Sequence, residues 1–303
     1  MSPVLGIDLG GTRLRAAWSS QPGDAPRALG EEPAPRSAGD LGARVAAYAR
    51  QLPQPPTAIG LTIPGLVDGT VCRWVPNLPY LDGVDLANLL KPVFADPPTQ
   101  HGHVVAGNDA QLALLAEAAD GAASGTRDAI LVAVGTGIGS AVLSQGRIAR
   151  GAHGGACSFG WACADLSDPG DERLGWLERN ASGTALDAAG ATLDPPRDGA
   201  GLIAAARAGD AAALRALEPA VAALGATLAG AVALLDPEVV LLAGGVAAAT
   251  DVLEPLLREQ LAPRLPRHLR AVPVRAGAHG PRAGIAGALI AAHRGPTWWE
   301  LHR

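Results

Sequence analysis

Lysine is all but missing from this 303-residue chain. Lys91 is the only one, and arginine supplies nearly all of the positive charge. A phosphate loop of the Walker type needs a lysine directly after its last glycine, so that way of holding a nucleotide is excluded. Aromatic residues make up 3% of the chain, and its three cysteines, Cys72, Cys157 and Cys163, are too few and too scattered for a disulfide framework. Basic residues form no run, and 24 of them against 29 acidic ones leave a formal net charge of -5. Nucleic-acid binders need a positive footprint, so no nucleic-acid partner is expected. The sequence also offers no uninterrupted apolar run of about 18 residues, the least a bilayer demands. The stretch 225–235 is apolar but short, and Asp236-Pro237 stops it. The first residues have no basic segment and are strand-like from residue 4, which is not the pattern of a signal peptide. A cytoplasmic protein with no membrane partner is expected.

What the chain has in quantity is glycine, 39 residues of it, beside abundant alanine. Two glycine clusters follow strand-like apolar runs: Gly6-Ile7-Asp8-Leu9-Gly10-Gly11-Thr12-Arg13, and Val134-Gly135-Thr136-Gly137-Ile138-Gly139. Glycine lets backbone N–H groups approach a phosphate with no Cβ in the way, and a neighbouring threonine hydroxyl adds a donor. A dinucleotide-binding loop opens into a helix. Here Gly10-Gly11 leads into a second strand-like run, 14–18, so each cluster reads as strand, turn, strand. A hairpin of this kind used twice suggests a duplicated architecture. Between the two lies Gly107-Asn108-Asp109-Ala110-Gln111, where Asn108 is placed to cap a helix running to about residue 119 and Asp109 is a candidate catalytic base.

Strand and helix signals alternate along the rest. After the first hairpin come a proline-rich break at 22–35, a helix at 39–51, a strand at 58–63, a loop to Pro79, a short helix at 85–90 and a strand at 103–106. Beyond residue 119 the order is a strand at 129–134, a hairpin to Ile148, an irregular segment at 150–180 and helices at 182–189, 200–207 and 210–235. A strand at 239–242, the Gly244-Gly245 turn, a helix at 251–260, a strand at 272–275 and a helix at 281–293 complete the chain. Such alternation implies an α/β fold. The length suits two domains, expected at 1–118 joined by 281–303 and at 119–280, with ligands in a cleft between them.

In order and spacing these residues resemble the ROK (repressor, open reading frame, kinase) family of sugar kinases. The resemblance covers most of the chain. It runs from Asp8-Leu9-Gly10-Gly11-Thr12 through Ile63-Pro64-Gly65, Pro76-Asn77-Leu78-Pro79, Asn108-Asp109 with Glu117, and Gly135-Thr136-Gly137-Ile138-Gly139. It continues through Arg150-Gly151-Ala152-His153-Gly154-Gly155-Ala156 to Leu242-Ala243-Gly244-Gly245-Val246. The resemblance implies a two-lobed actin-like or hexokinase-like (ribonuclease H-like) ATPase fold, ATP and Mg²⁺ as cofactors, a small sugar as acceptor and a homodimer. The family's repressors carry a helix-turn-helix module ahead of this fold, and with Asp8 so near the first residue none is expected here.

By that resemblance the N-terminal lobe holds sugar and phosphate and the C-terminal lobe holds the nucleotide. Asp109 takes the proton of the attacking hydroxyl. Gly65, Asn77 and Asn108 face the sugar beside it, and amide side chains suit hydroxyls because each offers donors and an acceptor. Asp8 bears on the Mg²⁺ of the nucleotide, directly or through water. Gly10, Gly11, Thr12 and Arg13 meet the β- and γ-phosphates, Gly135, Thr136, Gly137 and Gly139 grip them from the other lobe, and Gly244 and Gly245 lie against adenine and ribose.

One segment departs from the family pattern. Where ROK kinases continue into Gly-Glu-x-Gly-His and a run of three cysteines that, with the histidine, hold a structural zinc, this chain has Cys157-Ser158-Phe159-Gly160-Trp161 and later Pro169, Asp171 and Trp176. No structural zinc is expected, and Trp161 with Trp176 is expected to form an apolar cluster in its place. Ser158 and Trp161 stand where the family has a sugar-binding Glu and His, while Glu178, used by the family at the sugar, remains. The phosphoryl-transfer end is thus complete and the recognition end altered, which points to a changed acceptor. Asp165, Asp168, Asp171, Glu172 and Glu178 crowd this segment. A carboxylate facing the sugar would favour the ammonium group of an amino-hexose, such as kanosamine or glucosamine, beside glucose, and a solvated acidic loop is the other reading.

Overall fold

The computed structural model describes residues 3–94 and 102–301. Its strands are β1 (Val4–Leu9), β2 (Arg13–Ser19), β3 (Arg27–Pro33), β4 (Ala58–Ile63), β5 (Leu66–Asp68), β6 (Val71–Trp74), β7 (His103–Asn108), β8 (Ala129–Val134), β9 (Ile138–Ser144), β10 (Arg147–Ile148), β11 (Val239–Gly244) and β12 (Val274–Ala276). The helices are α1 (Ala38–Ala49), α2 (Leu86–Leu90), α3 (Asp109–Asp120), α4 (Trp176–Ala181), α5 (Gly183–Gly190), α6 (Gly199–Arg207), α7 (Ala211–Leu235), α8 (Thr250–Leu261) and α9 (Ala283–Arg294). These group into two compact units: Met1–Gly121 with Arg147–Ala156 and Pro281–Arg303, and Ala122–Gly146 with Cys157–Gly280.

In the first unit the strand order is β3-β2-β1-β4-β7. β1, β2 and β3 pair antiparallel, while β4 joins β1 and β7 joins β4 in parallel. Every residue of β4 is buried, the pattern of a strand covered on both faces. The helix that covers it is α9, and glycines make the seat. A Cβ on Gly60 would lie 1.9 Å from Ala288 O, and one on Gly287 would lie 1.9 Å from Leu112 O of α3, so no larger residue fits either contact. Trp298, just past α9, is 2% exposed and packs against Gly107.

The second unit repeats the scheme as β9-β8-β11-β12: an antiparallel hairpin, then two parallel additions. Its longest helix, α7, starts at Asp210, whose side chain caps the N–H groups of Ala212 and Ala213. At 25 residues it is long and apolar enough to cross a membrane by length and composition, where the sequence reading counted only its last turns as an apolar run. The structure uses it as a core helix, with Leu217, Leu224, Leu228 and Val232 buried.

Two elements lie where irregular chain was expected. β3 occupies the proline-rich break, because Pro33 falls at its end and β3 is an edge strand, where a missing N–H costs no ladder bond. β5 and β6 form a small hairpin in the loop before Pro79.

Candidate functional site

The first unit gathers its candidate residues at the carboxyl ends of β1, β4 and β7, where parallel sheets present ligand sites. Asp8 lies beside Thr62 on one neighbouring strand and Arg15 on the other. Thr62 Oγ1 donates to Asp8 Oδ1 at 2.7 Å and accepts from Leu9 N–H at 3.0 Å, so the hydroxyl's proton is directed at the carboxylate. Arg15 Nη1 stands 3.4 Å from Asp8 Oδ2. Above them Gly284, in the first turn of α9, leaves room for the carboxylate: a Cβ there would sit 2.5 Å from Asp8 Oδ1.

The hairpin tip closes through Gly10 N–H to Arg13 O at 2.8 Å. A Cβ on Gly11 would lie 3.1 Å from Asn77 Cβ, so this glycine brings exposed Asn77 against the tip. Arg13, expected at the phosphates, is paired with Glu31 of β3, which also accepts from Arg15.

Asn108 ends β7 and caps α3. Its Oδ1 accepts from Ala110 N–H at 2.9 Å and its Nδ2 donates to Gly65 O at 3.1 Å, which ties the Pro64-Gly65 turn to the start of the helix. Gly65 is required there, since a Cβ would fall 2.4 Å from Trp74 O. Gln111 completes a capping box and reaches from α3 to Gly154 O at 3.4 Å. Asp109 occupies the first helical position. It is exposed by surface area, yet its carboxyl group is closely surrounded by protein. Desolvation pushes its pKa up to about 6, helped by the charge of Asp8 and opposed by the N–H of Ala110 and by Asn108.

In the second unit the Gly135-Thr136-Gly137 turn is anchored by its carbonyls. Gly183 N–H donates to Gly135 O at 2.7 Å, and Thr184 Oγ1 donates to Thr136 O at 3.1 Å. Gly135 N–H turns back to Gly137 O at 2.9 Å. This leaves the amides of Thr136 and Gly137 without an acceptor among the described residues, a pair of donors suited to an anion. Gly139 lies inside β9, paired with Ala133. Next to the turn is a cavity of about 390 Å³ whose walls include Thr136, Leu186, Ile203, Gly245 and Val246. Asp187 and Arg207 are its charged members. Asp187 Oδ1 accepts from Gly199 N–H at 2.7 Å, and Arg207 is fixed by Asp251 at 2.6 and 2.7 Å and by Ala248 O at 2.7 Å. Gly244 has φ +74° and passes so close to β8 that a Cβ would lie 2.6 Å from Val134 O.

The ROK family model matches residues 4–294. The chain belongs to the ROK family. It is 31% identical over 189 residues to a kanosamine kinase of Amycolatopsis mediterranei, covering 60% of this chain and 59% of that one. Against an N-acetylmannosamine kinase of Escherichia fergusonii it is 33% identical over 192 residues, covering 61% and 63%. The match thus spans about three fifths of the length of these curated relatives. Among solved structures, the ROK hexokinase of Thermus thermophilus superposes with a TM-score of 0.76 at 29% identity, over 96% of this chain and 98% of that one. The fold is the actin-like, hexokinase-like ATPase fold.

Against the ROK pattern, the departing segment 157–178 is held by its own polar groups. Trp161 is 44% exposed, and Gly175, directly before Trp176, packs on its backbone: a Cβ there would lie 2.3 Å from Trp161 Cα. Asp168 takes Arg179 Nη2 at 2.8 and 3.0 Å and the N–H of Gly170, while Asp171 accepts from Arg173 and Leu174 N–H and Asp165 from Ser167. Asp165, Asp168 and Asp171 are therefore spent on loop structure, which weakens their reading as partners for an ammonium group. Ser158 has no capping role and precedes a single 3-10 turn, Phe159–Trp161. Among the described residues no group of three or more His, Cys, Asp or Glu is arranged to hold a metal ion.

Cys157 stands at φ +64°, a left-handed conformation that costs an L residue about 1–2 kcal/mol. Its carbonyl accepts from Ser140 Oγ, which in turn accepts from Phe159 N–H. Cys157→Gly is expected to stabilise the protein by up to about 1 kcal/mol, read as a rise in the denaturation midpoint in urea.

Proposed function

We propose that this chain is an ATP- and Mg²⁺-dependent sugar kinase acting on the 6-hydroxyl of a glucose-like hexose or amino-hexose. The observation that carries the reading is Asp109: a carboxylate at a helix N-terminus, with its pKa raised to about 6 and with Asn108 and Gly65 bound to each other beside it. A base poised near neutral pH suits removal of a hydroxyl proton. The names of two relatives, a kanosamine kinase and an N-acetylmannosamine kinase, support an amino-sugar acceptor alongside glucose.

The geometry within each unit supports these roles. Asp109 takes the acceptor proton as the sugar oxygen bonds to the γ-phosphorus and the bond to the bridging oxygen breaks. Asn108 and Asn77 offer amide groups to sugar hydroxyls, a recognition that rejects analogues lacking the hydroxyl. Asp8, oriented by Thr62 and Arg15, would bear on the Mg²⁺ of the nucleotide, which would supply charge neutralisation to the phosphates. The amides of Thr136 and Gly137 fit phosphate oxygens, and the cavity beside them has the size and the largely apolar wall of a nucleoside site.

The test is ADP release with ATP and Mg²⁺ across glucose, mannose, glucosamine, kanosamine, N-acetylglucosamine and N-acetylmannosamine. Turnover with one of them identifies the acceptor. Sugar binding without turnover of any would make the chain a non-catalytic sugar-responsive member of the fold. The nucleotide assignment has its own check: Ala200, an exposed wall residue of the cavity, replaced as Ala200→Trp is expected to raise the dissociation constant for ADP at least tenfold by filling the space, with sugar affinity unchanged. Calorimetric titration with ADP reads it.

A further inference from the structure

The segment that follows α9 is tied to the first unit at two places. Trp298 is buried against Gly107, the residue before the Asn108 cap: a Cβ on Gly107 would lie 2.8 Å from Trp298 Cζ2. Trp299 stands edge-on to Trp298, with ring centroids 5.9 Å apart at 81°, and carries the Arg150 guanidinium over its ring at 4.4 Å. Its carbonyl accepts from Ile148 N–H at 2.8 Å, and Glu300 continues the pairing with an antiparallel bridge to Arg147. Arg147 and Glu300 also form an ion pair at 3.7 Å, but this arginine is largely exposed and such pairs contribute little. Arg150 and Trp299 are both half-buried, where a cation over an indole is worth more than in open water. Arg150 also begins a turn. Ala156 N–H donates to Arg150 O at 3.1 Å and closes it, and Gly154 inside it has φ +77° and lies so close to β5 that a Cβ would meet Val67 O at 2.3 Å. Gly154 O accepts from Gln111 Nε2 at 3.4 Å, in the capping box that starts α3.

We infer that Trp299 is a positioning residue for the acceptor side of the first unit: stacked under Arg150 and bonded to Ile148, it fixes the base of the turn 150–156, whose Gly154 carbonyl meets Gln111 two residues beyond Asp109. Trp298 holds the other flank, at Gly107, so one short segment keeps the turn and the Asn108-Asp109 corner in register. The link to acceptor binding rests on the proposed kinase, whereas the order of the turn is readable in the protein alone.

The experiment measures amide hydrogen exchange and steady-state kinetics on the unmodified protein, Trp299→Phe, Trp299→Leu, Arg150→Met and the variant carrying both Trp299→Leu and Arg150→Met. Phenylalanine keeps a ring face and is expected to stay within about threefold of the unmodified protein in every readout. Leucine keeps apolar bulk without the ring, and methionine keeps an apolar stem without the charge. Each is expected to speed exchange at the Ile148 and Ala156 amides about three- to tenfold, the scale of one half-buried cation–π contact, with the amides of β4 unmoved. In steady state the KM for the accepted sugar rises by the same factor, while kcat and the KM for ATP stay within about twofold. The double variant is expected to be no worse than either single one, because both remove the same contact. Melting curves identify a variant that fails to fold, and Arg150→Met tests the contact without touching the indole. Unchanged exchange at both amides in Trp299→Leu and Arg150→Met overturns the inference, as does faster exchange with the sugar KM unmoved. An effect of Arg150→Met that Trp299→Leu does not share gives the arginine a role of its own and overturns it too. If the unmodified protein phosphorylates no sugar, the kinase reading fails while the exchange rates still decide whether Trp299 fixes the turn.

Discussion

Asp109→Asn is expected to lower kcat by about 10²- to 10⁴-fold, the usual worth of a positioned base, while making the protein harder to unfold at alkaline pH. Asparagine keeps the shape of the side chain and its acceptor for Ala110 N–H, so the fold and the α3 start are retained. The stability effect follows from the direction of the shift. Asp109 has its pKa raised from 3.8 to about 6, so the folded protein holds that proton more tightly than the unfolded chain does. Stability from this group is fully present below the unfolded pKa and is lost as pH rises through 6. Asparagine is neutral throughout and escapes that loss. Its gain in melting temperature is therefore expected at pH 8 and fades toward pH 4. If Asp109 is the base, kcat/KM of the unmodified protein is expected to fall on the acid side with a midpoint near 6, as the carboxylate becomes protonated, and the variant's residual rate to lack that limb. A pH–rate profile and melting curves at the two pH values read both effects. Wild-type turnover in Asp109→Asn would remove Asp109 from the role of base.

Gly287→Ala carries the second large effect, a loss of about 2–3 kcal/mol that lowers the melting temperature by roughly 5–10 °C. The new methyl would lie 1.9 Å from Leu112 O and 2.5 Å from Leu112 C, and backbone atoms cannot rotate aside as a side chain can. α9 and α3 must part, which moves the helix whose first residue is Asp109, so activity falls together with stability. Helix propensity works the other way by up to about 1 kcal/mol, because alanine is the better helix former. Gly230, exposed on α7 with nothing within 4 Å of a built Cβ, isolates that propensity: Gly230→Ala is expected to stabilise. Calorimetric melting of the two variants decides. Equal stability of Gly287→Ala and the unmodified protein would refute the close α3–α9 contact.

Both glycine hairpins and the Asn108 cap were legible in the sequence because turns and caps advertise themselves through residue type. The contacts that demand glycine at 11 and 137, with Asn77 and Glu178, come from distant chain all the same. What could not be read along the chain depends on register or on distant partners. Arg15 reaches Asp8 only because β1 and β2 pair with those two residues opposite each other. Thr62 joins them through a parallel strand more than 50 residues away. Gln111 could have been found, since a Gln three residues after an Asn cap is a capping-box signal, but its second bond, to Gly154, is tertiary. α4 was hidden in the irregular segment 150–180. It has only six residues and begins at Gly175 without a side-chain cap, so neither periodicity nor capping announced it. The aspartates at 165, 168 and 171 are bound to N–H groups within a few residues of themselves, and residue type alone does not tell such a turn-forming carboxylate from one that faces a ligand.

The place of α9 in the chain has a consequence for biogenesis. It closes the sheet of the first unit, but it is encoded after every residue of the second. On the ribosome β1, β2 and β4 emerge early and then wait for their covering helix while the intervening chain is made. At about 5–20 residues per second that wait is on the order of ten seconds or more. The second unit is made during that interval, and its last residue, Gly280, comes only just ahead of α9. The face that α9 will cover, where Gly6 meets Leu289, Gly60 meets Ala288 and Asp8 meets Gly284, is meanwhile open to chaperones or to other nascent chains. Gly284 reaches Asp8 only when this last helix docks, so that carboxylate acquires its final surroundings among the latest events in the making of the protein.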